Sequence, residues 1–388
     1  MIENGFLFLS ILIGMTALIV WAEYKIGGKF FKYVPAIVLI YLGAAFMNTF
    51  GLFGDSESLS NTSYGVRNAL LPAMILLMLL QCDLRKIIKL GPKLLITYFV
   101  AAFSIVLGFT LTYLVMQSFF LDDTWRAFSA LAGSWTGGSA NMVALQDILA
   151  VPETIFGYAL IMDTINYSFW VMVMFWLVPF ERMFNRWTKA DTSKLESMSQ
   201  EIAATVTDEK REPTTFVHMI GLLGFSLFIA ALATVIGENL PQIGTGINAM
   251  TWTILIVSIV GLLLALTPFA SIPGSMDIGR VMLYTIVAII ASGADFSSIG
   301  EIPVYIIAGF MVLLFHGLIL FGFAKLFKLD LFTLGVASLA NIGGMVSAPV
   351  LAGAFNRALI PVGVIMALIG GFMGTWFGVL TAEILSRL

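Results

Sequence analysis

The chain runs in long, unbroken apolar blocks, and no other feature constrains its fold as much. Twelve such segments lie near 6–22, 33–50, 69–81, 94–116, 127–149, 155–180, 216–236, 250–269, 281–291, 304–327, 331–355 and 358–381. Soluble domains carry roughly 25% charged residues. Here 11% are charged and 59% are hydrophobic. So few charges cannot cover the surface of a soluble 388-residue fold, and the lipid bilayer is the expected surroundings. Barrel strands alternate apolar and polar residues, whereas continuous apolar blocks select helices. The expected fold class is an all-α polytopic membrane protein.

Several functions drop out early. The net charge is −3 with no basic domain or tail, so no nucleic-acid partner is expected. Cys82 is the single cysteine, which excludes an internal disulfide, and no spacing suits a zinc or haem site. Glu3 precedes the first apolar run and Lys25, Lys29 and Lys32 follow it, with no small-residue cleavage site between. That run therefore reads as a retained helix, not a signal peptide. No Gly-x-Ser-x-Gly elbow, His-Glu-x-x-His or Walker loop occurs, and Gly293-Ala294-Asp295 offers one acid where an aspartyl protease needs two. The chain is not expected to be an enzyme.

A full crossing takes about 20 residues, so the short third and ninth segments must borrow flanking residues. Residues 181–215 mix both charges, include Lys210, Arg211 and Pro213, and read as a cytoplasmic linker between halves 1–180 and 216–388. Lysine and arginine mark the cytoplasmic side. Lys25/Lys29/Lys32, Arg85/Lys86/Lys89/Lys93, Arg182/Arg186/Lys189, Lys325/Lys328 and Arg357 can all lie inside, with Asp122/Asp123 and Asp295/Glu301 outside, on one condition. Segments five and eleven must enter and return on the same side. The expectation is ten crossing helices, two broken re-entrant segments and both termini outside.

Those two segments carry related signatures. Residues 133–141 read Gly-Ser-Trp-Thr-Gly-Gly-Ser-Ala-Asn, and residues 339–348 read Leu-Ala-Asn-Ile-Gly-Gly-Met-Val-Ser-Ala. Gly137-Gly138 align with Gly343-Gly344, and the same spacing pairs Gly157 with Gly363 and Trp170 with Trp376. Asp83 and Asp295 each follow a short segment, and Pro92 and Pro303 each open the next. The matching loops are basic in one copy (83–93) and acidic in the other (295–301), which predicts two inverted-topology repeats, as in many secondary transporters.

Glycine pairs in an apolar helix can serve close packing. Here small polar residues surround them, and irregular backbone at membrane depth survives where it lines a cavity or is buried in protein. Ser134, Gly137, Gly138, Ser139 and Asn141, with Asn341, Gly343, Gly344 and Ser347, are therefore candidate substrate-binding residues. Asp163 lies roughly 7 Å from the middle of segment six at about 1.5 Å per residue. A charge there costs at least ~2.5 kcal/mol on insertion scales and marks a function or a partner. Asn166, Tyr167 and Trp170 fall at i+3, i+4 and i+7 on its side of the helix. Asp163, Asn166 and Thr136 are candidate ion-coupling residues for sodium or a proton, against the alternative of a hydrogen-bonded structural acid. Gln146 and Asp147 read as a water-boundary pair, His316 as a packing residue or proton relay, and Arg67 and Arg280 as snorkelling cations or attractants for an anion.

Gly133-Ser-Trp-Thr-Gly-Gly-Ser-Ala-Asn-Met142, the Asp163 segment and Ala340-Asn-Ile-Gly-Gly344 resemble the bacterial membrane family known as domain of unknown function 819, over nearly the whole chain. The resemblance implies membership of the cation:proton antiporter and anion transporter superfamily, in the bacterial inner (cytoplasmic) membrane. It implies a scaffold domain and a core domain moving as an elevator, often in a homodimer, with the coupling acid on the helix after the first break, where Asp163 sits. Asn166 replaces the second acid of electrogenic antiporters, which favours symport of a small anionic or zwitterionic solute over cation/proton antiport without an organic solute. No cofactor is expected beyond the sodium ion or proton, and no metal beyond sodium.

Overall fold

The computed structural model describes residues 1–26, 31, 36–88, 90–192, 213–242, 249–294, 299–356 and 359–388. Lys29, Lys32, Lys89, Lys210, Arg211, Asp295 and Arg357, used above for orientation, the linker and the repeat, lie outside them. The described residues are helical apart from turns and loops, and an isolated bridge joins Ile2 to Phe53. In chain order the main helices are α1 Gly5–Ile26, α2 Ala36–Thr49, α3 Glu57–Leu79, α4 Gly91–Met116, α5 Thr124–Gly137, α6 Ser139–Ile148, α7 Glu153–Leu177 and α8 Glu181–Thr188. There follow α9 Phe216–Glu238, α10 Ala249–Leu264, α11 Ser275–Ala291, α12 Ile302–Phe327, α13 Leu331–Ile342, α14 Gly344–Phe355 and α15 Ile360–Leu385. Among the described residues seven helical stretches are long and apolar enough to cross a bilayer: α1, α3, α4, α7 with its extension into α8, α9, α12 and α15. The helices α2, α10 and α11 are shorter.

The third segment starts earlier than its apolar run from residue 69 predicts. Ser56 caps α3 by accepting from the Leu59 amide (3.3 Å), and Ser58 Oγ accepts from the Gly5 amide (3.0 Å). Capping and polar contact with α1 carry the helix through residues that apolarity alone reads as loop.

Both glycine-marked segments break and double back. Arg126 Nη1, in the first turn of α5, donates to the Ala150 carbonyl just beyond α6 (3.1 Å), and Leu145 lies over Gly133. Phe332 and Phe355, at the outer ends of α13 and α14, meet edge to face at 5.7 Å, and Leu351 lies over Gly335. The two hairpins open at opposite ends of the molecule. The first opens beside Asp122 and Asp123, where Thr124 Oγ1 and the Tyr305 hydroxyl lie 2.8 Å apart. The second opens where Lys93 Nζ donates to Asp330 Oδ2 (2.8 Å), the Leu331 amide donates to Asn185 Oδ1 (2.9 Å) and Lys325 Nζ donates to the Trp187 carbonyl. Between these ends runs α4, 26 residues and about 39 Å long. Arg182, Arg186, Lys93, Lys325 and Lys328 thus gather at one end, with Asp122, Asp123 and Glu301 at the other.

Packing sorts the helices into two bundles, each drawing on both halves of the chain. One contains α1–α3 and α9–α11; the other contains α4–α8 and α12–α15. Within the second, α15 presents Gly370, Gly374 and Gly378 to the first hairpin, so that its backbone nearly touches α5. A Cβ at Gly374 would fall 2.7 Å from the Gly133 carbonyl oxygen. Gly374→Val is therefore expected to destabilise the protein by roughly 1–3 kcal/mol or more through overpacking, read as a lower midpoint of thermal unfolding in detergent.

Candidate functional site

Three side chains along α7 tie it to both hairpins. Asp163 Oδ1 accepts from Trp135 Nε1 on α5 at 2.7 Å. One turn on, the Tyr167 hydroxyl hydrogen-bonds Ser347 Oγ on α14. Another turn on, Trp170 Nε1 donates to Ser338 Oγ on α13 at 2.8 Å. The i, i+4, i+7 spacing of a helix face thus turns one strip of sequence into a seam against both broken segments. Asp163 is partly buried, and among the described residues it has no cationic partner. An acid inside an apolar span, with a single indole donor and no cation beside it among the described residues, is costly to ionise.

The breaks differ in how far their backbone groups are satisfied. At the first, Gly138 adopts φ 96°, and its amide donates to the Ser134 carbonyl (2.6 Å). The Thr136 carbonyl accepts from the Tyr98 hydroxyl (2.9 Å), while Thr136 Oγ1 turns back to the Ala132 carbonyl (2.8 Å). Asn141 Nδ2 donates to the Gly137 carbonyl (2.8 Å), and its Oδ1 accepts from the Thr375 amide and hydroxyl (3.1 and 2.7 Å). Ser139 opens α6. At the second break Gly344 adopts φ 56°, and Ser347 Oγ donates to the Gly343 carbonyl (3.3 Å). Gly138 and Gly344 need glycine for their positive φ alone, because a Cβ on either would meet nothing within 4 Å. Helix N-termini at Ser139 and Gly344 start at these breaks, each carrying partial positive charge from its first-turn amides.

The structure brings Asp163 to the Trp135 indole and Tyr167 beside Gly343 and Ser347, while the hydroxyl of Thr136 turns back to the Ala132 carbonyl within α5. It sends Asn166 elsewhere. Asn166 Nδ2 donates to the Ile306 carbonyl on α12 (3.2 Å), and its buried Oδ1 sits over Gly309 without a partner among the described residues. Asn341 Nδ2 donates to the Ala337 and Tyr98 carbonyls (2.9 and 3.3 Å), and among the described residues its buried Oδ1 too has no partner. Tyr98 thereby touches both breaks, through its hydroxyl at Thr136 and its carbonyl at Asn341. No pattern in the sequence marked Tyr98, Ser338 or Thr375.

His316 is fully buried, with Nδ1 at Ser104 Oγ (2.7 Å) and Nε2 at Ser338 Oγ (2.8 Å), so both ring nitrogens have partners. Gln146 and Asp147 are not a simple water boundary: both accept from Arg67 Nη2, Gln146 Oε1 at 2.8 Å. Arg67 thus has an acid of the protein as its partner, with its side chain 19% exposed. Arg280 is exposed. Among the described residues no group of three or more His, Cys, Asp or Glu side chains forms a metal-binding cluster.

A sequence profile described as "Protein of unknown function (DUF819)" matches residues 10–388. The chain belongs to this family. It is also similar to a protein of Bacillus subtilis (strain 168) described as "Uncharacterized membrane protein YjcL", at 23% identity over 382 residues, covering 92% of this chain and 94% of that protein. Together with its apolar helices, this makes the family member a multi-pass membrane protein.

Proposed function

We propose that this protein is a secondary active transporter of the inner membrane, which couples sodium or a proton to movement of a small anionic or zwitterionic solute. The observation that carries the reading is Asp163: an acid within a membrane helix, lacking a cationic partner among the described residues, on the one face of α7 that touches both broken hairpins. In this reading α1–α3, α4, α7, α9–α11, α12 and α15 make ten crossings. The two hairpins re-enter from opposite sides, the halves 1–180 and 216–388 are inverted repeats, and both termini lie outside. The bundle α1–α3 with α9–α11 is the scaffold, and the bundle carrying the hairpins is the moving core, in a homodimer.

The coupling follows from charge. An empty core carries the bare Asp163 carboxylate, which is costly to move past a hydrophobic barrier. A sodium ion or proton at Asp163 cancels that charge. Tyr167 and Trp135 transmit the change to Ser347 and to the first break, where free amides suit the carboxylate of a solute. Linking the two fluxes requires in addition that the solute fill the break before the ion-loaded core moves, and a zwitterionic solute then adds no net charge.

The test is uptake into proteoliposomes under an imposed sodium or proton gradient, with a pool of labelled small carboxylates and amino acids. Accumulation of a pool member above equilibrium, abolished by an ionophore, is expected. Sodium-for-proton exchange with no organic solute moved would replace this reading by cation/proton antiport.

A further inference from the structure

We infer that α8 and the end of α7 bind an anionic phospholipid, with the lipid phosphate on Arg182 and Arg186 and an acyl chain along an exposed apolar strip beside them. The inference does not depend on the transport reading, because it concerns only which lipid the fold holds.

Depth comes first. The helix α12 has 26 residues and is about 39 Å long, against a hydrocarbon layer of about 30 Å. Its last turn, which carries Lys325, therefore reaches the headgroups. Beside that end lies α8: Phe184 meets Phe321 edge to face at 5.4 Å, and Lys325 Nζ stands 4.8 Å from the centre of the Trp187 ring and donates to the Trp187 carbonyl. So α8 sits at headgroup level, where tryptophan is favoured.

The sequence Glu-Arg-Met-Phe-Asn-Arg-Trp-Thr divides α8 into three strips. Phe184 and Thr188, one turn apart, are buried. Arg182 and Arg186, also one turn apart, stand on the opposite side; both are exposed, and neither forms an ion pair among the described residues. Between these strips Met183 and Trp187 are 64% and 45% exposed. The apolar strip continues back through Phe180, Trp176 and Met172, all exposed, and the rings of Trp176 and Phe180 lie 5.0 Å apart across the turn that joins the two helices. From Met172 to Trp187 it runs about 22 Å, enough for the acyl chain of one leaflet.

Charge selects the headgroup. Lys189, Lys325 and Lys328 join the two arginines at this end, against Glu181, whose charge interacts with Arg182, and Asp191. The excess is positive, and two guanidinium groups one turn apart suit the oxygens of a phosphate. A zwitterionic headgroup brings its own cation into that field, so a lipid of net negative charge is preferred. The same helix holds the root of the second hairpin, because Asn185 Oδ1 accepts from the Leu331 amide. A headgroup on Arg182 and Arg186 therefore braces that hairpin.

The test is thermal unfolding of the purified full chain in a neutral detergent, with added phosphatidylglycerol or phosphatidylcholine of the same acyl chains. It compares the native protein, Arg182→Gln/Arg186→Gln, and Arg280→Gln, which removes an exposed arginine from the other bundle. Phosphatidylglycerol is expected to raise the midpoint more than phosphatidylcholine in the native protein and in Arg280→Gln. The double variant needs at least about tenfold more phosphatidylglycerol for half the shift. Sodium phosphate at matching concentration gives no such shift, since it brings no chain for the strip. Equal responses to the two lipids, a double variant that responds like the native protein, or an equal loss in Arg280→Gln would each overturn the inference. An equal shift from sodium phosphate would overturn lipid as the source. Native mass spectrometry checks the preference without a variant: the native protein is expected to retain phosphatidylglycerol under conditions that strip phosphatidylcholine, and equal retention would overturn the inference.

Discussion

With sodium bound at Asp163 as proposed, Asp163→Asn is expected to abolish a sodium-specific stabilisation of the native protein, leaving the same unfolding midpoint in sodium, potassium and choline chloride. A ligand that binds only the folded state stabilises it by RT ln(1 + [L]/Kd), about 2.7 kcal/mol at a hundredfold excess over Kd. The amide of asparagine keeps the shape of the side chain and can still accept from Trp135 Nε1, so the fold and its hydrogen bond survive. What it loses is the negative charge that attracts the ion. The mutant in choline is therefore expected to be at least as stable as the native protein in choline, because a buried uncompensated charge has gone. If the proton is the coupling ion, the same comparison across pH shows a dependence in the native protein that the mutant lacks. Equal cation and pH responses in the two proteins would make Asp163 a structural acid.

Asp330→Ala has the largest expected effect on stability away from the α7 seam. Asp330 is fully buried; its Oδ1 accepts from the Thr333 amide (2.7 Å) and its Oδ2 from Lys93 Nζ (2.8 Å) and Thr333 Oγ1 (3.0 Å). It therefore caps α13 and anchors the second hairpin to α4. Losing a cap costs about 1 kcal/mol, and breaking a buried ion pair costs about 3–5 kcal/mol; the half-exposed Lys93 can rehydrate, which puts the sum near the lower end of that range. Asp330→Asn keeps an acceptor for Thr333 and is expected to recover the cap portion alone. Thermal unfolding of both variants checks this, and an alanine variant as stable as the native protein would contradict it.

Much of the helical order was legible because apolar runs and bilayer thickness leave few alternatives. The breaks were legible as well, since Gly137-Gly138 and Gly343-Gly344 interrupt runs that otherwise favour continuous helix. Asp163 stood out as an acid in an apolar span, and its i+4 and i+7 neighbours both face the hairpins. What the sequence withheld was tertiary pairing. Asn166 shares a side of α7 with Asp163 on a helical wheel, yet it is angled far enough to bond α12 instead. Arg67 and Asp147 lie far apart in the chain, and nothing local shows that they meet. Tyr98 resembles any interfacial or core tyrosine until the fold places both breaks against it. That the third segment borrows flanking residues was legible, but not where α3 starts: the Ser56 cap and the Ser58 contact with the Gly5 amide of α1 leave no mark on apolar periodicity.

The proposed coupling requires a cation to bind at Asp163 inside the membrane region of the protein. Proteoliposomes adsorbed on a solid-supported membrane test it without knowledge of the solute, because an ion entering a low-dielectric site displaces charge. A sodium jump, or a pH jump if the ion is a proton, should give a transient current in the native protein and none in Asp163→Asn. No transient for either ion in the native protein, or an equal one in the mutant, would contradict the account.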